Sequence, residues 1–207
     1  MAEPALSPKP PVPPSIRWGV LLFVSIAMFG NYYIYDCIAP LASALQAIGL
    51  SSTQLGTLNA IYSFPNIIMV LIGGIIVDRI GTRASTFVFT AICLVGAVIT
   101  AMTPNFVVMA TGRLIFGLGA ESMIVAITAV LGQWFKGKQL GFAFGINLAI
   151  ARAGSYAADM SPTWARSAYA AGWRQPMLIS VGFAVVALAA AAIYWLLERS
   201  AEPRYEL

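Results

Sequence analysis

Two opposite charges stand out in a chain that carries very few. Glu121 and Arg152 each lie inside a long apolar run, nearly equidistant from Lys136 in the short basic connection between those runs. If the runs are antiparallel helices, the constant rise per residue puts the carboxylate and the guanidinium at one depth. A lone charge at mid-membrane costs about 2.5–3.5 kcal/mol on insertion scales. An opposite pair at one level offsets that cost in either of two ways. It closes into an ion pair that staples two helices, or it faces a water-filled cavity and holds both ends of a zwitterion.

Other polar residues fall where they can line the same space. Tyr32, Tyr35 and Asp36 share a helical face with Asn31 nearby, and Asn59, Tyr62, Ser63 and Asn66 recur at helical spacing. Asn147 is about one turn from Arg152. A tyrosine offers an aromatic face and a hydroxyl, which suits a peptide side chain and backbone. The competing reading for each tyrosine alone is an interfacial belt residue. Arg113 is a further intramembrane cation, and its predicted depth matches Asp36 closely enough for a pair at the outer gate.

The elements that must position these groups are membrane-spanning helices. Hydrophobic residues make up 59% of the 207 and charged residues only 10%. Soluble domains carry roughly a quarter charged residues, so a water-facing surface is excluded. Six apolar segments reach the length of a spanning helix: 16–39, 53–77, 84–102, 106–131, 140–160 and 176–197. Residues 1–15, rich in Pro and Ala, read as a disordered tail. Residues 198–207 read as a polar tail or the start of an interdomain linker. Lys9, Arg17, Arg79, Arg83, Lys136, Lys138, Arg199 and Arg204 fall at one end of the spans, and only Arg166 and Arg174 at the other. The bias puts both termini in the cytoplasm. With no histidine, imidazole metal sites are absent, and Cys37 and Cys93 have no metal-like spacing. No catalytic triad, metal cluster or phosphate-binding loop occurs. An enzyme is not expected, nor any cofactor, and the basic balance serves topology rather than nucleic acid.

The connection after the second span reads Gly73-Gly74-Ile75-Ile76-Val77-Asp78-Arg79-Ile80-Gly81-Thr82-Arg83. A purely topogenic loop needs Arg79 and Arg83 but neither Asp78 nor the glycines. Gly74 admits a neighbouring helix closely. Asp78 can accept from a facing helix N-terminus, and Gly81 permits a tight turn. This pattern resembles the loop signature of the major facilitator superfamily, and Arg113 with Gly117 and Gly119 resembles its second signature. Residues 112–154, with GRLIFGLGAES and QWFKGKQLGFAFGINLAIARAGS, look like the major facilitator domain-containing protein 1 group, known as lysosomal dipeptide transporters. Ala120 departs from the glycine expected there.

The resemblance covers only the first half of a family member. It implies an all-α membrane protein: the N-terminal six-helix bundle of the major facilitator fold, built from two inverted three-helix repeats. It also implies that Glu121 and Arg152 contact the two ends of a peptide, with the loop residues and the Asp36/Arg113 pair serving conformational change. The expected partners are a small-molecule substrate, the lipid bilayer, and a C-terminal six-helix half or second chain. The expected function is transport of a small polar solute, short peptides first, by alternating access. The alternatives are a proton-coupled carrier of organic anions or amino acids, and a non-transporting six-span partner protein. The tail carries no acidic-dileucine signal, so the plasma (inner) membrane is the expected location.

Overall fold

The computed structural model describes residues 9–205, without the side chains of Asn66 and Lys138. Six long helical segments run through it. They are α1 (Pro14–Asp36), then α3 (Ser52–Ala60) continued by α4 (Asn66–Ile80), α5 (Thr82–Met102), α6 (Phe106–Trp134), α7 (Leu140–Asp159) and α10 (Arg174–Ala201). Short helices α2 (Ala42–Ala47), α8 (Ser161–Trp164) and α9 (Arg166–Ala170) fill the two longer connections. Among the described residues, five stretches are long and apolar enough to cross a membrane. Helix α7 is not among them, because Asn147 and Arg152 interrupt its apolar run.

The boundaries follow local chemistry. Asn105 starts α6, its side-chain oxygen accepting from the Val107 and Val108 amides at 2.9 and 3.3 Å. Ser51 and Gln54 form a reciprocal capping box at the start of α3. Gly81 alone connects α4 to α5, with φ of +82°. That left-handed backbone suits glycine, as expected. Asp78 and Arg79 lie within the last turns of α4 rather than in a loop.

Four expectations need correction. The second span is not one helix: a 3₁₀ turn at Ile61–Ser63 separates α3 from α4. Pro65 has no amide to continue the ladder, so the helix breaks just before it. The tighter turn shifts the angular register between α3 and α4, which breaks the continuous helical stripe expected along this span. The close approach expected of Gly74 belongs instead to Gly73, where an added Cβ would stand 3.2 Å from Ser122; the space beside Gly74 is open. The first helix begins at Pro14, inside the segment expected to be disordered, and Lys9 donates to the Glu202 carbonyl at 2.8 Å. Residues 1–8, also assigned to that tail, lie outside the described residues. Finally, α10 continues past Leu197, so Glu198 belongs to the helix and is buried.

Helix packing arranges these segments around α1 and α6. Helix α5 packs along α6 and α10, α1 packs between α7 and α10, and α4 packs on α6. Helices α4 and α7 share no extensive interface. Their outer faces, including Leu71 and Ile75 on α4 and Phe142 and Leu148 on α7, are exposed. Association inside a bilayer relies on close van der Waals fit rather than on water exclusion. Here glycine provides it. An added Cβ at Gly96 would lie 2.7 Å from the Gly112 carbonyl, and one at Gly117 would collide with the Tyr62 backbone.

Candidate functional site

Arg113 is 1% exposed. It does not pair with Asp36. Its Nη1 and Nη2 donate to the Ile34 and Tyr35 carbonyls at 2.7 Å each, and its Nε to the Leu58 carbonyl at 3.2 Å. These acceptors sit in the last turns of α1 and α3, where helical carbonyls have no partner further along. A guanidinium suits the negative end of a helix dipole, and here one cation serves two. The backbone outcompetes Asp36 because it offers three acceptors in the fork geometry of one guanidinium. The Arg113 guanidinium carbon also lies 4.3 Å from the Tyr62 ring centroid and 5.3 Å from that of Phe116.

Glu121 and Arg152 are not a closed staple. Among the described residues the one ion pair within 4.0 Å is Arg83–Glu202, at 2.7 Å. Glu121 is 6% exposed, on the inner length of α6, and has no hydrogen-bond partner among the described residues. Arg152 is exposed on α7, its guanidinium carbon 5.3 Å from the Tyr32 ring centroid, and it has no hydrogen bond or ion pair among the described residues. Both charges, and Asp36, act electrostatically on the Tyr32 hydroxyl.

The remaining predicted residues divide. Tyr32 stacks on Tyr35 with centroids 5.8 Å apart, and Tyr35 meets Tyr62 edge-on at 4.0 Å. An open cavity of about 250 Å³ lies between α1, α6 and α7, lined by Met28, Tyr32, Thr128, Phe144 and Asn147. Asn147 donates to the Ser25 hydroxyl at 3.0 Å, which fixes its amide in the cavity wall. The Asn66 side chain lies outside the described residues. Asp78 and Arg79 are exposed, and no hydrogen bond or ion pair of theirs occurs among the described residues.

Sequence reasoning missed a second polar cluster at the end where the termini meet. The Thr82 hydroxyl donates to the Glu198 carboxylate at 3.0 Å, and the Tyr194 hydroxyl donates to the same group. Thr82 is the first residue of α5, so the carboxylate faces a helix N-terminus. The available signal was the i, i+4 spacing of Tyr194 and Glu198. Trp134 is buried beside this cluster.

These features, a buried carboxylate and an exposed guanidinium with no ion pair between them and a glycine-turned basic connection, invite comparison with known proteins. The model of the Major Facilitator Superfamily matches residues 21–206. The chain belongs to that superfamily. Superfamily members are membrane transporters rather than enzymes, and the all-helical bundle agrees with half of such a fold. The lysosomal dipeptide transporter MFSD1 of Danio rerio is 40% identical over 141 residues, which are 66% of this chain and 31% of that protein. The human protein of the same name is 37% identical over 66% of this chain and 30% of its own length. A probable sulfoacetate transporter of Cupriavidus necator is 27% identical over 77% of this chain and 37% of its own length. In each case this superfamily chain matches about a third of the relative's length.

Proposed function

We propose that this chain is one half of a transporter for small zwitterionic solutes, short peptides first, working by alternating access. The observation that carries the reading is that buried Glu121 and exposed Arg152, the latter over the Tyr32 ring, form no ion pair with each other. Two uncompensated opposite charges at membrane depth are costly unless something of matching charge joins them. A peptide's ammonium and carboxylate do so, with Arg152 offering the planar fork that suits a carboxylate. The dipeptide transporter relatives support the same substrate class. The second half, from sequence beyond Leu207 or from another chain, would cover the exposed faces of α4 and α7 and the open space at Gly74. The test is uptake of labelled L-alanyl-L-alanine into proteoliposomes holding protein with both halves. Absence of uptake, with exchange of an organic anion instead, would overturn the peptide reading.

A second reading has its own support. The sulfoacetate transporter relative and a hexuronate transporter of Bacillus subtilis, 27% identical over 61% of this chain, are both named for organic anions. In that case Arg152 binds the anion and Glu121 carries a proton.

We further propose that both termini are cytoplasmic and that the membrane is the plasma membrane. The crowding of basic residues at one end of the bundle supports the orientation, and the bacterial relatives support the location. Reporter fusions after Ser51, Asn105 and Ala168 are expected to report the outside, and those after Thr82, Gly137 and Glu202 the inside. Any reversed pair breaks this topology.

Asp78 is proposed to anchor the bundle to a helix N-terminus of the second half. Asp78→Asn is therefore expected to slow turnover about tenfold while membrane insertion and substrate affinity hold. The residue lies ten Å or more from mid-membrane by helix rise, roughly, so affinity moves less than rate. Unchanged turnover in protein containing both halves would reduce Asp78 to a topological role.

A further inference from the structure

We propose that Tyr35 is a positioning residue that transmits the state of Arg152 to the break in the second span at Ile61–Ser63. The proposal rests on the reading of Arg152 as the group that grips the solute's carboxylate. Four contacts form an unbroken series. Arg152 lies over Tyr32 at 5.3 Å, Tyr32 stacks on Tyr35 at 5.8 Å, Tyr35 meets Tyr62 at 4.0 Å, and Arg113 lies over Tyr62 at 4.3 Å. No direct contact between the Tyr32 and Tyr62 rings occurs among the described residues, so Tyr35 is the link.

The two ends of the series differ in freedom. Arg113 is buried and tied to three carbonyls, so its end is fixed. Arg152 is exposed, with its guanidinium over the Tyr32 ring and no hydrogen bond or ion pair among the described residues. A carboxylate that draws the guanidinium to itself weakens that contact, because both compete for the same cation. The released ring disturbs its stacked neighbour, and the disturbance reaches Tyr62. Tyr62 sits inside the 3₁₀ turn, just ahead of Pro65, where no helical ladder opposes bending. The backbone there also rests directly on Gly117 of α6, so bending at the turn changes the α4–α6 contact.

The test is a double-variant cycle read by hydrogen–deuterium exchange of residues 61–64 in the full chain, held in lipid nanodiscs. Arg152→Gln is expected to raise exchange in that segment about fivefold, the scale of a cation–π contact. In a Tyr35→Leu background the same substitution is expected to add nothing. Tyr35→Phe keeps the ring and is expected to keep the fivefold response. An equal response to Arg152→Gln with and without the Tyr35 ring would overturn the proposal. Should Tyr35→Leu fail to fold, Tyr32→Leu removes the neighbouring rung and must abolish the response equally. No solute is needed for this cycle. Addition of L-alanyl-L-alanine to protein containing both halves then separates the two ideas: a positive cycle without any dipeptide response there defeats the peptide reading and leaves the coupling standing.

Discussion

Dipeptide binding is expected to disappear in a Glu121→Gln, Arg152→Gln double variant that still inserts and folds. The measurement is thermal stabilisation of protein with both halves by dipeptides, free amino acids and monocarboxylates. Wild-type protein should be stabilised by L-alanyl-L-alanine, and blocking either the amino or the carboxyl end should remove the effect. Loss of charged contacts at a desolvated site costs about 2–5 kcal/mol, so affinity should fall on the order of 100-fold or more. The stability of the unliganded variants carries separate information. A closed staple makes single neutralisation worse than double, because one charge is left stranded. Here the pair is already open, so the stability effects of the two single neutralisations should simply add in the double variant. Arg152→Lys keeps the charge but loses the fork, and should bind more weakly as well. Full dipeptide stabilisation of the double variant would sink the assignment. Stabilisation by monocarboxylates alone would favour the anion carrier.

Among single neutralisations of the intramembrane charges, Arg113→Gln is expected to cost the most stability. The three carbonyls that accept from Arg113 belong to two different helices, and the side chain is buried. An unsatisfied buried acceptor costs about 1–3 kcal/mol. Glutamine, with two donors on a single nitrogen and a shorter reach, cannot replace the guanidinium across both helices. The Ile34 carbonyl keeps a second partner, the Cys37 thiol at 3.1 Å, so the full cost falls on Tyr35 and Leu58. A loss of about 3–5 kcal/mol follows, which corresponds to roughly 10 °C in melting temperature for a chain of this size. Asp36→Asn is the control. Asp36 forms no ion pair with Arg113 within 4.0 Å, so its neutralisation should leave the melting temperature within a few degrees. Equal destabilisation by the two variants would restore the gate pair that the sequence suggested.

Much of this molecule was written in its composition. With so few charges, the chain has no option but to leave water, and apolar runs of spanning length then become helices because lipid satisfies no backbone group. Gly81 was legible because a one-residue connection between antiparallel helices needs a positive φ. A common expected depth for Glu121 and Arg152 was readable too, since helix rise is constant. Azimuth was not. Whether two groups at one depth touch depends on how each helix is rotated about its axis, and the helix contacts decide that. They leave Arg152 on the exposed side of α7 with the Tyr32 ring as its neighbour rather than Glu121. The same rule explains Arg113, whose true partners are backbone carbonyls that carry no side-chain signature in a sequence. It explains Glu198 as well: a polar residue near a chain end reads as tail until α5 brings its N-terminus, with Thr82, against it. Sequence thus determined which groups lie at which depth, because depth follows from counting residues along a helix. Only the tertiary structure decided which of them meet, because contact depends on rotation and packing between helices distant in the chain.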